Sequence, residues 1–257
     1  MNRIERYEDL TDKIVGWIKD YYWKNNIKAL VVGVSGGIDS AVVSTLCAKT
    51  GLPTYVIRMP LESTHQNTKL SDLHAQQLAE EYDNVTNVQV ELSSVYGSLL
   101  HSINWWSEAQ HFDKKEFTSD ELANANTKSR IRMVTLYQIA GAKKGIVVGT
   151  GNKVEDYGIG FYTKYGDGGV DIAPIADLYK TEVRELGGYL GVDALIIDAK
   201  PTDGLWEDGR SDEDQIGATY EELEEAMENG EGKAVDILYK FNNRNNHKMQ
   251  PIPTFKL

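Results

Sequence analysis

The apolar positions of this chain follow two periods, one typical of buried strands and the other of amphipathic helices. Large apolar residues at helical spacing predict an opening helix: Leu10, Ile14, Trp17, Ile18 and Tyr21. Short apolar runs predict buried strands at residues 29–34, 55–59, 88–92 and 146–149. Further helical patterns lie between and after these strands, at residues 41–48, 70–82, 95–106, 120–144, 178–190, 220–227 and 233–245.

The longest helical pattern, residues 120–144, has end signals on both sides. Thr118 or Ser119 is expected to cap its start, and Gly145 to end it. Residues 107–117 and the glycine-rich residues 158–169 are predicted to be loops. Strands that alternate with helices predict an α/β fold, a doubly wound parallel sheet with helices on both faces. Without an internal repeat or a linker, we expect one domain over residues 1–257.

Two predicted strands are followed by loops of unusual composition, at the sheet edge where ligands bind in such folds. The first loop, residues 35–40, reads S-G-G-I-D-S. Its glycines allow a tight turn that presents N–H groups, and the helix N-terminus behind it favours negative charge. Ser35 and Ser40 add hydroxyl groups. The loop therefore predicts an anion site, although the motifs G-x-x-x-x-G-K-[ST] and G-x-G-x-x-G are absent.

Glycines, lysines and carboxylates recur together between residues 149 and 180. Residues 149–155 read G-T-G-N-K-V-E, residues 161–171 read F-Y-T-K-Y-G-D-G-G-V-D, and Lys180 follows. Glycines permit close approach of a ligand, lysines bind phosphates, and carboxylates hold Mg²⁺. This mixture indicates a phosphate and metal site rather than a purely structural loop.

Charge and composition exclude several classes of protein. The 257 residues carry a formal net charge of −12, and residues 203–231 hold twelve acidic residues against one basic residue, Arg210. Because nucleic-acid binding needs a basic face, we expect no nucleic-acid partner, and we interpret the acidic stretch as a solvated helix and loop. No apolar run approaches the roughly 18–20 residues that span a membrane. The N-terminus also lacks the apolar core of a signal peptide.

Cysteine usage points to a reducing compartment. Cys47 is the single cysteine, so an internal disulfide framework is excluded and a cytoplasmic location is expected. Cys47 lies on an apolar helix face, which predicts a core position rather than a nucleophile.

The S-G-G-I-D-S loop resembles the pyrophosphate loop of the N-type ATP pyrophosphatases, which cleave ATP between its α and β phosphates. Together with the strings at residues 149–155 and 161–171, it makes nearly the whole chain similar to the ammonia-dependent NAD synthetases. The resemblance implies a five-stranded parallel sheet of the adenine nucleotide alpha-hydrolase type. It also implies a homodimer that binds deamido-NAD across the subunit interface.

The resemblance further implies a ligase reaction. ATP adenylates the nicotinate carboxylate of deamido-NAD, pyrophosphate leaves, ammonia attacks the acyl carbon, and AMP and NAD are released. A carboxylate is a poor acyl donor because it would have to expel oxide, whereas the mixed anhydride expels AMP. Mg²⁺ and lysines would neutralise the charge on the departing pyrophosphate.

Most of the ATP site is implied by the same resemblance. Asp39, Lys180 and Thr202 are expected to act in catalysis, with Asp39 and Glu155 as Mg²⁺ ligands. Asp156 is an alternative to Glu155, because one extra residue precedes the Phe161 string. Helix capping is the structural alternative for Asp39. The complete set of expected ATP contacts is Gly33, Val34, Ser35, Gly36, Gly37, Ile38, Asp39, Ser40, Thr150, Lys180, Thr202 and, from topology alone, Arg58.

The resemblance assigns a second group of residues to deamido-NAD: Arg130, Lys164, Asp171, His247 and Lys248. Arg132, two residues after Arg130 and on another helix face, ranks second to it. Solvated surface positions are the structural alternatives for Lys164, Lys180 and His247.

Free ammonia is the expected nitrogen donor. A glutaminase domain needs a cysteine nucleophile and well over two hundred further residues, and the chain is already filled by the synthetase. A separate glutaminase subunit stays possible. Residues 204–215, with two glycines and many charges, form either a mobile lid over the site or a static exposed loop.

Three other functions compete with this interpretation. The ATP-cleaving part of GMP synthetase shares the pyrophosphate loop, but it does not explain the string at residues 161–171. A tRNA-thiolating enzyme would need a basic face and usually more cysteines. A nucleotide-binding regulator without catalysis would not need the second carboxylate or Lys164 and Lys180.

Overall fold

The computed structural model describes residues 3–62, 65–110, 112–113, 116–202 and 211–256, excepting the side chains of residues 65–67. The strands of this part are β1 (Leu30–Gly33), β2 (Thr54–Arg58), β3 (Val85–Gln89) and β4 (Ile146–Val147). A π-helical turn spans Val154–Ile159. The helices are α1 (Tyr7–Lys24), α2 (Ile38–Lys49), α3 (His65–Glu81), α4 (Ser93–Ala109), α5 (Glu121–Lys143), α6 (Lys180–Tyr189), α7 (Ala194–Ile197), α8 (Asp212–Ile216), α9 (Tyr220–Asn229) and α10 (Val235–Met249).

The four strands pair in parallel in the order β3-β2-β1-β4. This confirms the predicted α/β fold with a parallel sheet, but the prediction of five strands is wrong for the described residues. A fifth strand is reduced to one parallel bridge between Val148 and Ile172. The physical reason lies at Asp171, whose carboxylate accepts the backbone N–H of Val147 at 2.8 Å. A side chain thus takes the donor that a longer ladder would pair with a backbone carbonyl.

Alternate residues of β1 pack on opposite faces of the sheet, as the pleat requires. Leu30 and Val32 belong to a buried cluster with side chains from α1, α2 and α6. Val31 belongs to a second cluster with Ile57 and with Leu136 of α5. Helices therefore cover both faces, as predicted, and the carboxyl edge of the sheet stays between them.

The ends of α5 differ from their prediction. Asp120, rather than Thr118 or Ser119, is the N-cap, and its carboxylate accepts the N–H of Ala123 at 2.6 Å. Lys144, with φ 53°, takes the left-handed position at the other end. Gly145 has a different role, because a Cβ there would lie 2.5 Å from the carbonyl oxygen of Ala29. Glycine at this position allows α5 to return to the sheet beside β1.

Other boundaries also shift. β3 begins three residues before its predicted start, and α4 extends to Ala109 into the predicted loop 107–117. Part of the predicted loop 158–169 belongs to the π-helical turn, and the short helices α7 and α8 were not predicted. Among the described residues, no helix combines the length and apolar character that crossing a bilayer requires. Cys47 is fully buried in the core, and burial raises the pKa of its thiol to about 12.

One buried polar contact joins α2 to α3. His74 is 3% exposed, and its Nε2 atom lies 2.9 Å from the hydroxyl oxygen of Ser44. Burial lowers the pKa of His74 to about 4, partly opposed by a hydrogen bond to the backbone of Ala41. The folded protein therefore holds this imidazole neutral at pH values where the unfolded chain protonates it.

We predict that His74 makes the protein less stable in mild acid. A depressed pKa in the folded state contributes stability above the unfolded pKa, and this contribution falls as the pH drops toward 4. Between pH 7.5 and pH 5 the loss is about 2 kcal/mol. Urea unfolding of His74→Gln should lack this pH-dependent part, whereas His101→Gln, at an exposed position of α4, should keep it. Equal pH slopes for the wild type and His74→Gln would contradict the prediction.

Candidate active site

A cavity of 830 Å³ opens at the carboxyl edge of β1 and β4. The S-G-G-I-D-S loop and the residues that follow β4 line it, and so do residues 160–163 and α10. Every residue from Gly33 to Ser40 lines it, as do Thr150, Lys180 and Thr202. The structure thus brings together all the predicted ATP contacts except Arg58.

The S-G-G-I-D-S loop is folded to present backbone donors. Gly36 has φ 92°, a conformation that favours glycine. The Ser40 hydroxyl accepts the N–H of Ser35 at 3.2 Å and donates to the carbonyl of Gly37 at 2.9 Å, which closes the turn. Gly37 is the N-cap of α2 and has no side chain to cap the helix. The N-terminus of α2 therefore lines the cavity without a side-chain cap. Helix N-termini of this kind bind anions well.

The centre of the site is a buried ammonium between two carboxylates. Lys180 Nζ lies 2.5 Å from Asp39 Oδ2 and 3.1 Å from Glu155 Oε1. The Lys180 side chain is 4% exposed, against 15% for Asp39 and 16% for Glu155. Burial alone lowers the pKa of Lys180, but the charges of Asp39 and Glu155 more than offset it, so the pKa lies above its ordinary value. Lys180 is therefore a permanent cation and not a surface lysine.

Two residues that sequence reasoning did not single out hold this centre in place. Asn152, fully buried, donates from Nδ2 to Asp39 Oδ1 at 3.1 Å and accepts the N–H of Glu155 at Oδ1. Tyr220, also fully buried, donates its hydroxyl to Glu155 Oε1 at 2.7 Å. Asn152 lies within the string G-T-G-N-K-V-E, so that string gave a signal for it. Tyr220 follows the helix cap Thr219 like any first-turn residue, and no sequence pattern points to its role.

Asp39 does not act as a helix cap. It lies in the first turn of α2, and its two carboxylate oxygens are bonded to Asn152 and Lys180. The capping alternative is therefore not what the structure shows.

The π-helical turn places two consecutive carboxylates, Glu155 and Asp156, at the cavity. A π turn holds one residue more in each hydrogen-bonded ring than an α-helix, and such turns often occur at functional sites. This geometry accommodates the extra residue before the Phe161 string. Burial, and then the charges of Glu155, Asp167 and Asp39, raise the pKa of Asp156 to about 8. An anion-rich pocket of this kind favours a cation.

The string at residues 161–171 folds around the carboxylate of Asp167. Asp167 Oδ1 accepts the hydroxyl of Ser129 at 2.6 Å and the N–H of Thr163 at 3.0 Å. A Cβ at Gly166 would lie 2.3 Å from the Ser129 hydroxyl, and one at Gly168 would lie 2.2 Å from the Tyr162 ring. The glycines of this string are therefore required by close packing against α5 and the aromatic ring, whether or not a ligand is bound.

The structure joins this loop to the end of α10. Tyr162 donates its hydroxyl to the carbonyl of Lys248 at 2.8 Å, and Lys248 Nζ donates to the carbonyl of Tyr162 at 2.6 Å. His247 and Lys248 both line the large cavity. Lys164 Nζ lies 3.5 Å from the carbonyl of His247 and faces a neighbouring cavity of 690 Å³, which Lys248 also lines.

Three predicted ligands lie outside both cavities. The guanidinium of Arg58 donates hydrogen bonds to the side chains of Asp72, Asn87 and Gln89. This position does not support its predicted contact with ATP.

Arg130 and Asp171 are the other two. Arg130 is exposed and donates from Nε to the carbonyl of Lys164 at 3.2 Å. Asp171 accepts from the Val147 backbone and from the Tyr137 hydroxyl. Arg132, ranked second from the sequence, does line the large cavity. Arg132, rather than Arg130, therefore lines this cavity.

Within the described residues, no group of three or more His, Cys, Asp or Glu side chains forms a ready-made metal site. Residues 203–210 lie outside the described part of the chain, and the lid predicted at 204–215 falls mostly on them. Residues Asp212–Ile216 of that segment form α8, capped by Ser211.

The comparisons with known proteins all point in one direction. A protein-family model described as NAD synthase matches residues 10–252. An NH(3)-dependent NAD(+) synthetase from Carboxydothermus hydrogenoformans is 38% identical over 245 residues, which are 94% of this chain and 95% of that protein.

Two solved structures extend the likeness to the fold. An NMN synthetase from Francisella tularensis has a TM-score of 0.88 at 32% identity and covers 99% of this chain and 100% of its own. An NAD+ synthetase from Burkholderia pseudomallei has a TM-score of 0.73 at 25% identity, with 95% and 90% covered.

We predict that Lys180→Met destabilises the fold strongly, because it leaves Asp39 and Glu155 as buried carboxylates without their counter-charge. The free energy of unfolding at pH 7 should fall by about 3–5 kcal/mol. Lys153→Met is the matched control, since Lys153 pairs with the 89% exposed Asp177 at 2.9 Å. It should cost less than about 1 kcal/mol.

A second variant tests the cause of that loss. Lys180→Met combined with Asp39→Asn should recover part of the stability, because one of the two unpaired charges is gone. Equal costs for Lys180→Met and Lys153→Met in denaturant unfolding would contradict the assignment of a buried charge balance.

Proposed function

This chain belongs to the NAD synthase family, and on that premise we propose that it amidates deamido-NAD to NAD with ammonia and ATP. The reaction passes through an NAD-adenylate and releases AMP and pyrophosphate. The observation that carries the proposal is the buried Lys180 between Asp39 and Glu155, beside the S-G-G-I-D-S loop. The cavity of 830 Å³ at that centre lies within the size range of small-molecule and cofactor sites, about 300–1,000 Å³.

During carboxylate activation, some residues of the site bind the nucleotide and another neutralises charge on the leaving group. The backbone N–H groups of Gly36, Ile38, Asp39 and Ser40 bind the ATP phosphates, and Thr150 and Thr202, which also line the cavity, contact the nucleotide. Lys180 offsets the negative charge that grows on the departing pyrophosphate. Because the ammonium is already fixed by two carboxylates, little reorganisation is needed when that charge develops.

Mg²⁺ is the metal that this donor set fits. Mg²⁺ is commonly held by one or two carboxylates together with substrate phosphates, and the cavity supplies such carboxylates beside the S-G-G-I-D-S loop. Asp39 and Glu155 would hold it, with Asp156 beside them at the cavity. When bound, the ion neutralises phosphate charge during the displacement.

A second candidate substrate is nicotinate mononucleotide, whose amidation would give NMN. The observation that favours it is the likeness to the NMN synthetase of Francisella tularensis, which has a higher TM-score than the NAD+ synthetase compared above. The adenylation chemistry is the same for both substrates, because both present a nicotinate carboxylate.

We assign a homodimer to the exposed apolar face of α4 and α5. Six large apolar side chains of these two helices are at least 40% exposed and lie outside the 830 Å³ cavity: Val95, Leu99, Trp105, Trp106, Val134 and Tyr137. Val134 and Tyr137 also line the 690 Å³ cavity. Arg130 lies one helical turn before Val134, on the same face. A partner on this face would therefore approach Arg130, Lys164 and Asp171, which supports a substrate site that a second copy completes. The compartment proposed for this dimer is the cytoplasm.

We predict the products of a single incubation with ATP, Mg²⁺, deamido-NAD and ammonium chloride. NAD, AMP and pyrophosphate should appear in equal amounts and should be absent without ammonium, as measured by chromatography and mass. Asp39→Asn, which keeps the side-chain shape, is the inactive control. ADP with phosphate, or no ATP cleavage, would overturn the proposal. The same assay with nicotinate mononucleotide decides between the substrates through kcat/KM.

We predict that Val134→Asp separates the dimer, because it places a charge in an apolar face. Sedimentation velocity should show a monomer, and the KM for deamido-NAD should rise. Tyr239→Asp, at an exposed position of α10, should leave the dimer intact. A monomeric wild type would contradict the assignment.

A further inference from the structure

We propose that Arg244 binds the phosphate group next to the nicotinate ribose of the second substrate. The inference rests on the function proposed above and deepens it. Arg244 lines the 830 Å³ cavity from α10, and Phe241, Asn245 and Lys248 line it from the same helix. Residues three, four and seven positions apart share one face of a helix, so Arg244 belongs to the cavity face of α10.

Arg244 carries a charge that the protein does not neutralise. Among the described residues, its guanidinium makes no ion pair and no hydrogen bond. By contrast, Arg58, Arg3 and Lys128 are all paired with carboxylates in the same structure. An arginine that lines a cavity without a counter-ion has its five donors available to an anion.

A second cation lies one helical turn away. Lys248 is half-buried, and its ammonium donates to the carbonyl of Tyr162 rather than to a carboxylate. Burial lowers the pKa of Lys248, Asp167 opposes this, and the positive charge of Arg244 lowers it further. Like charges at this spacing repel each other, and a bound anion would relieve the repulsion.

The two ends of the cavity differ in how their cations are balanced. Lys180, beside the S-G-G-I-D-S loop, is matched by Asp39 and Glu155, and that end is built for the ATP phosphates. The α10 end presents Arg244 and Lys248 without such partners. During adenylation, the nicotinate carboxylate has to meet the α-phosphorus of ATP. The anionic group at the other end of that substrate is its 5′-phosphate, and Arg244 and Lys248 offer it two cations of one helix face that line the same cavity.

This assignment applies to both candidate substrates, because deamido-NAD and nicotinate mononucleotide carry the same 5′-phosphate on the nicotinate ribose. Nicotinate riboside lacks this group and provides a neutral reference. A guanidinium forms two parallel hydrogen bonds with a phosphate, whereas an ammonium acts as a point charge. Arg244→Lys should therefore retain only part of the affinity for the phosphate.

The test compares Arg244→Gln, Arg244→Lys and the control Lys240→Gln, which removes the same charge from an exposed position of α10 outside the cavity lining. For Arg244→Gln, the KM of the phosphorylated substrate should rise roughly tenfold or more, from the loss of a charge-assisted hydrogen bond. The KM of ATP and kcat should change less than about twofold. Arg244→Lys should lie between, and Lys240→Gln should match the wild type.

Inhibition by nicotinate riboside makes the test specific for the phosphate. Its inhibition constant should be the same for the wild type and Arg244→Gln, since the group that Arg244 contacts is missing. An unchanged KM for the phosphorylated substrate, an equal loss for the riboside, or a selective rise in the KM of ATP would each overturn the assignment. A wild type that makes neither NAD nor NMN would instead overturn the proposed function, which keeps the two failures distinct.

Discussion

The ammonium of Lys180 reaches Asp39 and Glu155 from a third part of the chain, and the remaining geometry of the cavity is arranged around this contact. Asp39 comes from the first turn of α2, Glu155 from the π-helical turn after β4, and Lys180 is the first residue of α6. Each of these charges would be costly to bury alone. Together they fix the positions of three segments that are far apart in sequence.

The support around this contact explains why α6 begins at Lys180. Glu182 accepts the N–H of Tyr179 at 2.8 Å and is held in turn by Arg3 at 2.9 Å. Glu224 of α9 accepts both the N–H and the hydroxyl of Thr181. The N-terminal segment and the acidic helix α9 therefore both hold the start of α6. Glu224 belongs to the acidic stretch for which the sequence predicts a solvated helix and loop, and it is part of this internal contact.

Much of the fold was predictable because its signals are local. The apolar runs and helical periods located the sheet and its covering helices, and the glycine loop before α2 indicated an anion site. The exact donors and partners were not predictable, since they depend on contacts across the fold. Tyr220 lies 65 residues from Glu155, and no short pattern connects them.

The predicted ligands Arg58, Arg130 and Asp171 also show that the partners of a side chain depend on contacts across the fold. Topology predicts Arg58 and the resemblance implies the other two, but neither shows which partners a side chain takes in the folded structure. Arg58 is bound within the sheet edge, and Arg130 belongs to a face that a second copy would cover. Of the two neighbouring arginines of α5, Arg132 lines the cavity and Arg130 does not.

The hydrogen bond from Val147 to Asp171 has a consequence for the behaviour of the protein in concentrated solution. β4 is only two residues long and lies at one edge of the sheet. Exposed edges with free N–H and carbonyl groups act as templates for other chains, and natural proteins block them with charges and short strands. A carboxylate bonded to the edge donor provides both a charge and a covered N–H group. Together with the backbone hydrogen bonds from Asp171 to Val147 and from Gly149 to Ile172, this carboxylate leaves little of the β4 edge open for another chain to pair with.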